Sequence, residues 1–280
     1  MGCAKSQRQH DLLACLFPSR GKKFIVVLTG YIDESYSEKV FTLSCLMSTL
    51  SDWMWFERAW NKCLSATNRG LKAQGRPLIS RYHASDCSTR HGEFEGWTTD
   101  EQKKLTSSLL TVFRRHFVNV ISYSISVDDF IKEFPHHKEQ WKEQCYGFLL
   151  KFLMVEAADQ FASVLRVKRS NESVKISLIH DRGPCDGILL DAFNQMMKDP
   201  GFRGVHFFST IAALPWQGCV PLQAADLLAY ENFKDSESFL FTKRKRRYTL
   251  DALLTSSLGG RSRTIDAAGV RKLREALEPK

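Results

Sequence analysis

The chain has no C-x-x-C pair, although eight cysteines are scattered from Cys3 to Cys219. That scatter argues against a zinc ribbon or a disulfide framework and fits a reducing, cytoplasmic compartment. Also missing is any apolar run approaching the roughly 18 residues of a membrane-spanning helix. The N-terminus has no apolar core of a signal peptide, and no repeat or low-complexity tract interrupts the chain. Acidic residues are scarce: 31 Asp plus Glu stand against 40 Lys plus Arg, a net charge of +9. From Ser236 to Lys280 there are 11 Lys/Arg and 5 Asp/Glu, so two thirds of the excess lies in that segment. Such an excess favours a polyanionic partner without separating nucleic acid from an anionic membrane.

What the chain does have is apolar mass. It is 43% hydrophobic with 19 Phe and 6 Trp, enough for a sizeable core. Residues 1–21 are polar and basic apart from Leu12–Phe17 and read as an arm. Met1-Gly2-Cys3-Ala4-Lys5-Ser6 matches an acylation pattern, with Cys3 as a second acceptor. The pattern is short and is read only where the modifying enzyme exists, so no membrane anchoring is expected.

From Phe24 the pattern becomes regular. Phe24–Ile32 is apolar on both faces, as a covered central strand should be, and runs into Asp33-Glu34-Ser35. Lys39–Ser48 predicts a second strand, joined by a link short enough for an antiparallel hairpin. Ser51–Leu64 carries Trp53, Phe56 and Trp60 at helical spacing. Leu78–Ala84 reads as a short third strand and Lys104–Phe117 as a helix opened by Thr99. Val118–Val127 alternates as a fourth strand. Helices are expected over Lys138–Arg166 and Gly187–Lys198, and strands over Val174–His180, ending at Asp181, and Val205–Ile211. A helix follows from Val220, and a last one near Ala267–Leu277. The expected organisation is the arm, a domain over 22–235 and a basic extension over 236–280.

The organising stretch is Val220–Tyr230. Pro221 suits a first helical turn. From Leu222 to Ala229 the only polar side chains are Gln223 and Asp226, one turn apart on one face. The rest is Leu or Ala, so this helix is expected inside the core. A carboxylate there must be hydrogen-bonded, paired with a cation or bound to a metal. Asp33 and Asp181, each expected at a strand end, are candidates for the same crevice, because α/β sheets place ligand sites off the carboxyl ends of parallel strands. Three close carboxylates repel one another, so the cluster predicts divalent cations between them, Mg²⁺ or Mn²⁺ by their preference for oxygen. Two such ions would activate water and stabilise the leaving oxygen in phosphodiester cleavage.

The order of elements is that of a ribonuclease H-like α/β fold: an antiparallel three-strand start, then parallel strands reached through helices. Four motifs also resemble the family grouped as domain of unknown function 3800. They are Tyr31-Ile32-Asp33-Glu34-Ser35, Tyr82-His83-Ala84-Ser85-Asp86, Leu178-Ile179-His180-Asp181 and Leu222-Gln223-Ala224-Ala225-Asp226, within residues 22–232. The resemblance implies a ribonuclease H-like fold and a metal-dependent nuclease. It departs at Tyr36, where many members have Gly.

Each candidate has a plainer role beside the functional one. Asp33 could cap a turn, and Asp181 could open the Arg182-Gly183-Pro184 turn. Strand alternation allows only one of Asp33 and Glu34 to face a site unless the strand has ended, and Asp33 is the favoured ligand. Asp226 could be held by an arginine or by backbone N–H groups. Gln223 could orient Asp226, touch substrate or simply pack. His83 is either structural or a hydrogen-bond donor to a phosphate oxygen and proton carrier. The run Lys243-Arg244-Lys245-Arg246-Arg247 is either a solvated face or a clamp on nucleic-acid phosphates. The expected function is a metal-dependent nuclease with Asp33, Asp181 and Asp226 as ligands, Glu34 and His83 assisting, and the basic run gripping DNA or RNA. The alternative is a non-catalytic nucleic-acid-binding or complex-assembly module.

Overall fold

A computed structural model describes residues 25–116, 119–168, 173–242, 245–255 and 260–277. The arm over 1–21, including Gly2 and Cys3, and the basic residues Lys243 and Arg244 lie outside them. A single six-stranded mixed sheet organises the rest, in the order β5–β4–β1–β2–β3–β6. β1 (Ile25–Tyr36) and β2 (Val40–Thr49) form the expected hairpin, closed by Ser37 N–H donating to Val40 O at 2.9 Å. β2 pairs antiparallel with β3 (Asn119–Ser126). β4 (Ser173–Asp181) runs parallel to β1, and β5 (Phe208–Leu214) parallel to β4. The antiparallel start followed by parallel strands is therefore present.

Leu78–Ala84 is not a strand. Its backbone groups bond to side chains instead of a neighbouring ladder. Asn68 donates to Ile79 O at 2.7 Å and accepts from Ile79 N at 3.0 Å, while Glu93 accepts from Ser80 N at 2.6 Å. The third strand of the antiparallel set is β3. A last strand, β6 (Arg261–Ile265), was hidden in the basic segment; it adds to β3 in parallel.

Strand alternation divides the apolar residues between two faces. One carries Ile32, Leu43, Cys45, Ile121 and Ile125 against α5 (Trp141–Lys168) and α6 (Asp186–Lys198). The other carries Tyr31, Leu46, Val120 and Ile179. It is covered by α1 (Leu50–Ala73), α3 (Thr99–His116) and α7 (Val220–Glu237). Between α1 and α3 lies a short helix, α2 (Ala84–Thr89), and after β3 comes α4 (Val127–Glu133). Trp53, Phe56 and Trp60 of α1 are wholly buried, each contributing roughly 1.5–3 kcal/mol by area removed from water. The end of the chain joins both cores. Leu250 and Leu253 of α8 (Tyr248–Thr255) enter the face under α1, and Val270 of α9 (Ala267–Leu277) enters the other.

On the face covered by α5 and α6, Gly30 leaves no room for a side chain, since a Cβ there would stand 2.9 Å from Leu178 and 3.0 Å from Cys45 and Met47. On the other face a polar ladder holds α7 to the sheet. Beneath α7, Thr42 and Ser124 share a hydrogen bond of 2.7 Å, and Ser44 pairs with Ser122. Asn232 of α7 donates to Ser122 at 2.6 Å and Ser124 at 3.0 Å, and accepts from Ser262 of β6.

Candidate active site

The parallel ladder of β1 and β4 ends at Ile32–His180, and α7 packs against β1 beside it. Asp33, Glu34, Asp181 and Asp226, with His83, Trp216 and Leu222, line one pocket of about 180 Å³. All five candidate catalytic residues are thus gathered from β1, β4, α7 and the segment before α2. The ladder between β1 and β4 stops at Ile32–His180, whereas β1 continues along β2 to Tyr36. The strand therefore does not end at Asp33, where the sequence pattern predicts its end, but runs on to Tyr36. Beyond Ile32 it loses one neighbour, and both Asp33 and Glu34 border the notch this leaves.

Each carboxylate is held differently. Asp181, the last residue of β4, accepts from Trp216 N at 3.0 Å. Glu34 accepts from Tyr146 Oη at 2.9 Å. Asp226 accepts from Ala84 N at 2.7 Å, and Gln223, one turn earlier, accepts from Tyr82 N at 3.0 Å and from the Trp60 indole at 3.3 Å. Gln223 and Asp226 therefore grip the amides on either side of His83. Asp86 lies 2.9 Å from His83 Nδ1, leaving Nε2 as the ring nitrogen open to other partners.

The pocket is electrostatically unfavourable for four anions. Burial, reinforced by Glu34, Asp226 and Asp181, raises the Asp33 carboxyl well above the usual range. Burial also raises Glu34 against the pull of Tyr146, and raises Asp181 against its backbone donors. Asp226 is pushed up to about 6 by burial, against the opposing effects of His83 and the Ala84 amide. Among the described residues none of the four forms an ion pair with Lys or Arg. The donor set, carboxylates and one imidazole, has the chemistry of an Mg²⁺ or Mn²⁺ site. Its spacing does not: among the described residues, no three His, Cys, Asp or Glu side chains stand together closely enough to hold a metal ion.

The basic run is partly committed elsewhere. Arg247 holds the buried Glu231 at 2.7 Å, and Arg246 approaches Asp235 at 3.7 Å and Asp251 at 3.6 Å. Lys245 is exposed. Three residues at the site escaped the sequence reading. Tyr146 looks like one more apolar position of a long helix. Trp216 and Arg81 had a visible signal, an aromatic in the Pro215-Trp216-Gln217-Gly218 turn and a basic residue beside His83. Arg81 lies over the Trp216 ring at 4.0 Å, and the His83 ring lies 5.1 Å from it.

Among the described residues no helix is long and apolar enough to cross a membrane. No protein-family model matches the chain, and neither a curated protein nor a solved structure matches it significantly.

Proposed function

We propose that the protein is a divalent-metal-dependent nuclease of ribonuclease H-like fold that hydrolyses phosphodiester bonds of DNA or RNA. The observation that carries this reading is one pocket bordered by Asp33, Glu34, Asp181 and Asp226, none of which forms an ion pair with Arg or Lys among the described residues. The strand order, with an antiparallel β1–β2–β3 and parallel β4 and β5 beside β1, supports the same reading.

In this reading Asp33, Asp181 and Asp226 hold Mg²⁺ or Mn²⁺. Bound there, the cations supply an activated water and charge stabilisation at the leaving oxygen. The carboxylates must draw together to bind, which their mutual repulsion opposes until a cation is present. Glu34, fixed by Tyr146, is placed to take a proton from the attacking water. His83, with Asp86 on Nδ1, is placed to donate from Nε2 to a phosphate oxygen or leaving group. Exposed Lys245, with Lys243 and Arg244, would contact backbone phosphates.

The test is cleavage of labelled single-stranded and duplex DNA and RNA in Mn²⁺. Asp33→Asn and Asp226→Asn are each expected to lose roughly 100-fold or more of the rate while keeping the parent circular dichroism. Variants that cut like the parent defeat the proposal. One observation favours the second reading, a nucleic-acid-binding or assembly module without catalysis: backbone N–H groups already satisfy Asp181 and Asp226. Calorimetric titration with Mn²⁺ separates the two, because the module would show no heat that depends on Asp226.

A further inference from the structure

Cations rest on aromatic rings at the carboxylate pocket, at the end of β1 and at the β1–β2 turn. On the Asp181 and Asp226 side, Arg81 stacks on Trp216, whose backbone N–H holds Asp181. On the Glu34 side, Lys142 lies 4.1 Å over the Tyr36 ring and donates to its hydroxyl at 2.8 Å. Around the β1–β2 turn, Lys39 lies 5.5 Å over Phe241. These elements touch, because Ser37 of the turn donates to Glu237 at the end of α7 at 3.2 Å. Tyr36 is 42% exposed and Phe241 48% exposed, far more than packing requires of such rings. None of the three cations makes an ion pair among the described residues.

Two exposed rings and the half-buried Trp216, beside cations that form no ion pair among the described residues, suit an unpaired strand of nucleic acid. Bases stack on the rings and on guanidinium planes, and phosphates meet the cations. A duplex keeps its bases stacked inside and offers nothing to the rings. We propose that Arg81 with Trp216, Lys142 with Tyr36, and Lys39 with Phe241 form a track for single-stranded nucleic acid. The track leads one strand across the carboxylate pocket. This deepens the nuclease reading, and rests on it only for what happens once the strand is seated.

Fluorescence anisotropy with a labelled 15-nucleotide oligothymidine, its oligouridine counterpart and a 15-base-pair duplex, all in EDTA, tests the track apart from catalysis. Single strands are expected to bind at least tenfold tighter than the duplex at matched salt, and the two oligomers separate DNA from RNA preference. Tyr36→Ala and Phe241→Ala are each expected to weaken single-strand binding about tenfold. Arg81→Gln is expected to flatten the slope of log affinity against log salt by about 0.7. Absence of binding, equal affinity for duplex and single strand, or unchanged affinity in both aromatic variants overturns the track. Cleavage by Asp226→Asn at the parent rate overturns the nuclease reading instead. A track without scission and scission without a track are thus distinguishable results.

Discussion

At the scale of single residues, Asp226 is one of four pocket carboxyls whose burial ties stability to pH. Its carboxyl ionises at about 6 in the folded chain against 3.8 ordinarily, raised mainly by burial. A carboxyl raised by folding stabilises the native state fully below its unfolded value, and that contribution is lost as pH rises through the folded value. Asp33, Glu34 and Asp181 move in the same direction. In EDTA, Asp226→Asn is therefore expected to match the parent near pH 4 and to melt higher than the parent near pH 7. Mn²⁺ should raise the parent Tm near pH 7 and leave the variant behind. Thermal melts at the two pH values check both statements, and a variant that melts lower at pH 7 contradicts them. Gln223 works the other way, since its single carbonyl oxygen satisfies two buried donors. Gln223→Leu should cost about 1–3 kcal/mol for donors left unpaired, read as a lower urea midpoint.

At the scale of elements, much of the fold was legible because periodicity follows burial. The largely apolar run at 26–32 and the Leu/Ala-rich helix at 222–229 called for cover from both sides, and residues 28–32 and most of the helix are buried. Asp33, Asp181 and Asp226 were legible as carboxylates in apolar surroundings, and they line one pocket. The segment at 78–84 was misread because extended backbone looks alike whether a strand or a set of side chains satisfies it. β6 was not legible because Arg261 and Arg263 face Glu156 instead of a core, giving the strand a surface composition. The polar side of β3 needed partners over 100 residues away. Ser122 and Ser124 are both bonded by Asn232. Asn232→Leu leaves that buried ladder half satisfied, and such networks fail together. Hydrogen exchange should quicken selectively at the β6 amides, whose Ser262 anchor is lost. Uniform exchange across the sheet would show that α7 does not hold this edge.

At the scale of the whole molecule, the basic segment completes the domain instead of trailing from it. Removing residues 248–280 would strip Leu250, Leu253 and Val270 from two cores. It would also open the β3 edge and leave Glu133 without Arg271 and Arg274. An uncovered edge invites pairing between chains. The chain ending at Arg247 is expected to elute as aggregates in size exclusion and to lose its cooperative melt, and a monomer with the parent Tm would refute this packing account. The pairing of β6 with β3 has a further consequence during synthesis. Every acidic residue of the pocket leaves the ribosome by position 226, about 40 residues before the last strand can dock onto a partner made long before. For that interval the nascent chain holds its acidic pocket residues on a sheet with an open edge, and such unpaired edges are prone to aggregate.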